Sequence, residues 1–256
     1  MILLILLCLL TLLTGCAVNT GGDGETADSY SASAVWRWQN TNDFVLRGRA
    51  RLQGESRVFS GPFIVRASRK LQLIRADFCG PDGSPLLSIL VDSLGSTVYA
   101  PDEGTAYRVP GGFPFGNAAL SVNAIISLMR TGFPCVPVQR EMMNAISEQE
   151  KSLWFFESGQ GDSMTVSLES GALLPCIESE DISLSPVAAS WHDRFHLWPL
   201  EWELVSENIS VIMRIRSIDE FENLTEGSFQ LIIPVPVDTF AVQMPLWSYS
   251  VLPPVR

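Results

Sequence analysis

The residues best suited to acid–base chemistry in this chain are its two histidines, His192 and His196, in WHDRFHLW with Asp193 beside the first. At i, i+4 spacing they would share one face of a helical turn and could hold a zinc ion. Pro186 and Pro199 flank the segment and its neighbours read as strands, so that helix is disfavoured, and no third ligand accompanies the pair. A half-buried or solvated pair of imidazoles is the plainer reading. There is no GxSxG elbow, no HExxH pair and no Gly-rich phosphate loop. Nothing marks a nucleophile for a Ser-His-Asp triad. The expectation is a non-enzyme with no catalytic residues, no metal and no cofactor; a hydrolase using either histidine is the reading it must beat.

The more informative residues are a cysteine and a row of arginines. In MILLILLCLLTLLTGC, a largely apolar run of fifteen residues precedes Cys16, short of the roughly 20 that a permanent membrane-spanning helix needs. An apolar core ending in small residues has the shape of a secretory signal. Leu13-Thr14-Gly15-Cys16 resembles the bacterial lipobox, whose cysteine is lipidated and becomes the mature N-terminus; the usual positive residue after Met1 is missing. An apolar N-terminal helix with an incidental cysteine is the plainer alternative. Lipidation at Cys16 would anchor the chain rather than thread it through the bilayer, each buried CH₂ contributing about 0.8 kcal/mol. Ala17, not Asp, follows the cysteine, which by resemblance favours the outer membrane over the inner. With Cys8 leaving in the signal, Cys79, Cys135 and Cys176 remain, enough for at most one disulfide and without the spacing of a structural zinc site.

Arg47, Arg49 and Arg51 alternate with Leu46, Gly48, Ala50 and Leu52, a strand with one apolar and one basic face. The formal net charge of −11 argues against nucleic acid as a partner. Yet residues 37–75 alone carry a net +7, against −18 for the remainder. The arginine stripe suits lipid headgroups or lipopolysaccharide; a solvated outer face balanced by neighbouring acids is the plainer account. Trp191, Phe195, Trp198 and Trp202 likewise suit either a membrane-interface belt or the core of a β domain, with the core preferred.

Positioning these residues requires a sheet. Of 256 residues 46% are hydrophobic, 18% are charged, and Gly and Pro are plentiful at 19 and 16, a profile of short strands and turns in one domain. Residues 1–15 read as the signal peptide, and 16–35 as a lipidated N-terminus with a small, polar, Gly/Ser-rich tether. Residues 36–240 form the domain, and 241–256 a loosely structured C-terminal extension. VLRGRARL, GPFIVRASR, KLQLIRADF, SPLLSILVD and the hairpin STVYAPDEGTAYRVPG give about six antiparallel strands in succession. NAALSVNAIISLMRTGFP then reads as a helix, with Asn117 as N-cap, Gly132 as the residue after its C-terminus and Pro134 beyond. PVQREMMNAISEQE suggests a second short helix. KSLWFFES, SMTVSLES, GALLPCIES, LEWELVSE, ISVIMRIRSI and FQLIIPVPV continue the strands. Strands, a helix, then strands with hairpin-length connections imply a mainly β fold with a few helices: one curved antiparallel sheet, an unclosed barrel, with a helix against it.

In order and spacing, the lipobox, the GRARL run, LQLIRADFCGPDGSPLLSILVD, Tyr99–Gly112, the helix ending LMRTGFP and the late FQLIIPVP resemble the LolB-type outer-membrane lipoproteins and their soluble relative LolA, over roughly residues 36–237. The resemblance implies an unclosed β-barrel with a helical lid, whose concave side takes acyl chains of lipidated proteins. It implies inward-facing Leu46, Leu52, Phe63, Val65, Leu87, Ile89 and Val91, covered by Leu120, Ile125, Leu128 and Met129 of the helix. An ordinary dry core packed on a helix has the same pattern. By the same resemblance, an exposed apolar residue on an early loop passes cargo to the membrane, and Phe78 in Asp77-Phe78-Cys79-Gly80 occupies the matching place. Gly80-Pro81-Asp82-Gly83 is extra length there. The implied function is an outer-membrane-anchored, monomeric lipoprotein at the periplasmic face that binds lipid acyl chains or lipidated cargo. A structural or assembly lipoprotein binding protein partners without lipid is the alternative.

Overall fold

Alternating apolar and polar residues set the strands of this chain, and Gly, Pro and Asp reverse them. The computed structural model describes residues 36–54, 58–115, 118–131, 146–148, 151–158, 163–169, 176–179, 182–191, 197–206, 209–221, 223–234, 238–241 and 247–248. After one helical turn at residues 36–39 come β1 (Asp43–Gly54), β2 (Val58–Ser68), β3 (Leu73–Cys79), β4 (Pro85–Asp92), β5 (Gly95–Ala100) and β6 (Thr105–Pro110). A small hairpin, β7 (Phe113–Phe115) and β8 (Ala118–Leu120), leads into helix α1 (Val122–Thr131). The second half runs β9 (Ile146–Glu148), β10 (Lys151–Ser158), β11 (Ser163–Glu169), β12 (Cys176–Ser179), β13 (Ile182–Trp191), β14 (Leu197–Ser206) and β15 (Ile209–Phe221). Two short pieces, β16 (Asp238–Ala241) and β17 (Trp247–Ser248), end the described chain.

Among the described residues all strands except the β7–β8 hairpin join one sheet of fifteen, ordered β16-β6-β5-β4-β3-β2-β1-β15-β14-β13-β12-β11-β10-β17, with β9 also on β10. Two consecutive meanders, β1–β6 and β10–β15, are thus joined along the β1–β15 pair. The end strands β16 and β17 do not pair with each other, so the sheet is curved but unclosed among the described residues. It is antiparallel apart from β16, which lies parallel on β6.

The β1–β15 seam has a bulge: Arg47 faces Ser217, yet Gly48 faces Ile215, leaving Arg216 as the extra residue. Gly48 is required there, because a Cβ would collide with the Arg214 carbonyl oxygen and come within 2.8 Å of the Phe63 ring. Asp43 fastens the far end of the seam, its carboxylate accepting the Leu224 N–H at 2.7 Å. Asp92 shapes the β4–β5 turn, accepting the Leu94 and Gly95 N–H groups at 2.7 and 3.0 Å.

Several sequence expectations change. Residues 118–120 pair with β7, so α1 begins later than Asn117 would allow, and its cap is Ser121, whose hydroxyl accepts the Ala124 N–H at 3.2 Å. Ile146–Glu148, expected in a second helix, is a strand on β10. Residues 230–234 of FQLIIPVPV lie outside regular structure, after a 3-10 turn at Glu226–Phe229; Pro234 cannot donate to a ladder. Trp247–Ser248, expected in a loose extension, pair with Ser158 and Glu157. β13 is an addition. Its Pro186 sits where the register against β14 slips, the position at which a sheet tolerates proline.

A candidate apolar ligand cavity

The strands direct their odd and even residues to opposite sides, and the concave side meets α1. Helix positions Val122, Ile125, Ile126 and Met129 recur at the spacing of one helical stripe. That stripe joins Phe44, Leu46, Ala50, Phe63, Ala67, Ile74 and Val91 in a single core, in which Ile126 is 0% exposed and Phe63 2%. The packing is incomplete. A cavity of about 210 Å³ remains between sheet, helix and the β7–β8 hairpin.

Most of the residues expected to face inward line this cavity. Leu46 of β1, Phe63 and Val65 of β2, and Ile89 and Val91 of β4 form its floor, while Leu120, Ile125, Leu128 and Met129 form its cover. Leu52 and Leu87 do not reach it. Leu52 pairs with Phe59 and Leu87 with Phe78, so both share the inner side of their strands but lie further along them, half-buried beyond the cavity. Phe78 is corrected more substantially. It lies within β3, not on a loop, and its ring turns into the cavity 6.0 Å from that of Phe63. The turn that follows exposes Pro81, Asp82, Gly83 and Ser84, none a large apolar residue. The early turn that does present one joins β4 to β5, where Leu94 is 68% exposed.

The other half of the lining comes from residues that the sequence does not mark as a site, Trp202 alone being expected in a core. Trp202 and Leu204 of β14, Met213 and Ile215 of β15, Leu184 of β13, and Ile74 and Ala76 of β3 complete it with Phe113 and Phe115. The signal was present: Trp202 and Leu204 alternate with Glu201 and Glu203, and Met213 and Ile215 with Arg214 and Arg216. Trp202, 6% exposed, thereby belongs to the cavity wall and core. Trp191 and Trp198 fall on strands β13 and β14; Phe195, His192 and His196 lie outside the described residues, as do Cys16 and Cys135.

Every described lining residue is aliphatic, aromatic or a thioether, and among them the indole N–H of Trp202 is the single polar side-chain group. Such a space gives a hydrogen-bonding ligand nothing and favours hydrocarbon. Its volume falls below the roughly 300–1,000 Å³ of most ligand sites, so a long chain requires the cover to lift. On its exposed side that cover is tied to the sheet by the Gln72 amide, which donates to Asn123 Oδ1 of α1 at 2.9 Å. Gln72 holds a left-handed backbone, φ 55°, uncommon for a residue other than glycine.

On the convex side, charge replaces volume. Asp77 accepts from Arg66 at 2.9 Å, from Arg75 at 2.9–3.1 Å and from the Ser88 hydroxyl at 2.9 Å. Burial pushes its carboxyl up, but the hydrogen bonds from Arg75 and Ser88 and the charges of Arg75 and Arg66 outweigh this and hold it below its ordinary value. Burial, then the charges of Asp77 and Asp82, raises the Cys79 thiol, which disfavours the reactive thiolate. Cys79 and Cys176 are both free. Among the described residues no group of His, Cys, Asp and Glu could hold a metal ion, and no helix is long and apolar enough to cross a membrane.

An open, curved sheet with a helix against it defines the structural class, and the comparison with solved structures gives likenesses of fold. A DUF1329 family protein from Desulfovibrio piger superposes with a TM-score of 0.51 at 11% identity, over 79% of this chain and 96% of its own. A domain from Vibrio parahaemolyticus named for outer membrane lipoprotein sorting gives 0.48 at 9% identity, over 78% and 94%. A LolA superfamily protein from Nitrosomonas europaea gives 0.48 at 9%, over 80% and 98%. The first establishes a likeness of fold alone; the other two are weaker likenesses. No family model matches the sequence, and no curated protein matches it.

Proposed function

We propose that this chain is a non-catalytic carrier or acceptor of acyl chains, lipidated at Cys16 and held at the periplasmic face of the outer membrane. Hydrocarbon tails of lipids or lipidated proteins enter the space between sheet and α1. The supporting observation is the hollow itself, whose described lining is apolar throughout and whose cover is the apolar stripe of α1. A dry core would have filled it, since interiors pack to the density of organic crystals. The cover residues Ile125, Leu128 and Met129 offer hydrocarbon to a tail in exchange for the hydrocarbon they release, so lifting the helix in the presence of a ligand loses little apolar contact.

Ala76, in the floor, supplies the test. Ala76→Phe should fill the hollow, lower the affinity for a fluorescent fatty acid at least tenfold (about 1.4 kcal/mol) and leave thermal stability near that of the parent. Native mass spectrometry of the parent in the absence of detergent should show bound acyl species. An empty parent, with fatty-acid binding unaffected by the filled hollow, would defeat the proposal.

A second reading, a structural lipoprotein that binds proteins, draws support from one place. Tyr107 and Phe240 stack at 5.6 Å on the β6–β16 edge, both exposed, where an added strand from a partner could pair.

A further inference from the structure

The convex side of the seam carries a chemically opposite feature. Arg49 and Arg51 of β1 stand beside Arg214 and Arg216 of β15 around a cleft of about 220 Å³, with Ser60 and Ile212 in its wall. Arg49 lies directly across from Arg214. Side chains so paired have Cβ atoms about 5 Å apart, and like charges there destabilise a sheet. Compensation within the protein is partial: Arg214 Nε donates to Glu201 at 2.9 Å, and Arg47, one step along, is matched by Asp219. Glu203 is the next acidic residue on that flank. Arg49, Arg51 and Arg216 have no ion pair among the described residues. In a chain of net charge −11, this concentration of positive charge runs against the overall composition.

We propose that this cleft binds the phosphoryl group of an anionic lipid headgroup. Guanidinium forks meet phosphate oxygens in pairs, and a bound phosphate would relieve the repulsion between Arg49 and Arg214. A concave arrangement focuses the field of the arginines on one point, which a flat stripe would not. A lipid source is favoured because the cleft lies on the outer, solvated side of the sheet and, resting here on the proposed function, because lipidation at Cys16 would hold the chain at a membrane. The inference does not depend on acyl chains entering the hollow on the other side.

Co-sedimentation with vesicles tests it, using the full chain with Cys16→Ala so that no acyl anchor is attached. Any insertion of the apolar N-terminus contributes equally to vesicles of either charge. The parent should bind phosphatidylglycerol vesicles at least about tenfold better than phosphatidylcholine vesicles, since each arginine near an anionic surface adds roughly fivefold. The preference should shrink at high salt. Arg49→Glu with Arg51→Glu should abolish it, Arg49→Lys with Arg51→Lys should keep part of it, and Arg108→Glu, on β6 away from the cleft, should keep all of it. Circular dichroism establishes folding; if the double reversal misfolds, Arg49→Gln and the salt series decide. Equal binding to both vesicles, or equal loss from Arg108→Glu, overturns the proposal. So does saturable binding of inorganic phosphate without any vesicle preference, which would make the cleft a site for the free ion.

Discussion

Along β1 one strand serves two environments in alternate residues. Leu46 and Ala50 face a core with hardly any water, while Arg47, Arg49 and Arg51 face solvent. The concave side is specified by volume and the backbone contacts that allow it; the convex side is specified by charge and tolerates more. Substitutions should therefore separate the two sides by the size of their effect.

The largest effect is expected where the two sides share backbone. Gly48→Val places a branched side chain against the Arg214 carbonyl and the Phe63 ring, so the β1–β15 seam should not close. The thermal melt by circular dichroism should lose its cooperative transition; a melt within a few degrees of the parent would show that the seam can yield. Next comes the purely concave change Ile126→Ala. Deleting a fully buried branched side chain should cost about 2–5 kcal/mol, read from urea denaturation. A cost under about 1 kcal/mol would mean that α1 contributes little to the fold.

The smallest effect is expected on the convex side and depends on pH. The Asp77 carboxyl is held below its ordinary value, so the folded state binds a proton there less readily than the unfolded chain. Its contribution is complete above the unfolded carboxylate range, about pH 4, and is lost as pH falls through the lower folded value. Asp77→Asn should cost about 1–3 kcal/mol at neutral pH, by leaving Arg66 and Arg75 without their shared acceptor. The gap to the parent should close in acid. A gap that persists unchanged to pH 2 would assign the loss to packing.

The same contrast explains what the sequence disclosed. Alternation in VLRGRARL and SPLLSILVD announced both strand and facing, because burying one side leaves a period-two record. Leu52 and Leu87 obey that record, yet alternation does not say how far along a strand the hollow extends. Alternation in KLQLIRADF carries the strand through Phe78, and only the resemblance put that residue on a loop; Asp77 is polar because three donors on the convex side need it. Pro186 disguised β13, since the bulge that accommodates a proline is a property of pairing with β14 and leaves no local mark. The start of α1 is hidden for a similar reason: Ala118–Leu120 suits a helix by propensity, and only pairing with β7 makes it a strand.

The seam also dictates an order of events during biogenesis. Its two strands come from opposite ends of the domain, and the Asp43–Leu224 hydrogen bond spans 181 positions. Pairings so distant close late and slowly. The first meander must therefore wait, its β1 edge without a neighbour, until the last long strand has emerged, and an unpaired edge of that kind invites association with other chains. Arginines along that waiting edge discourage such association by repelling identical copies, a duty they perform before the finished molecule exists.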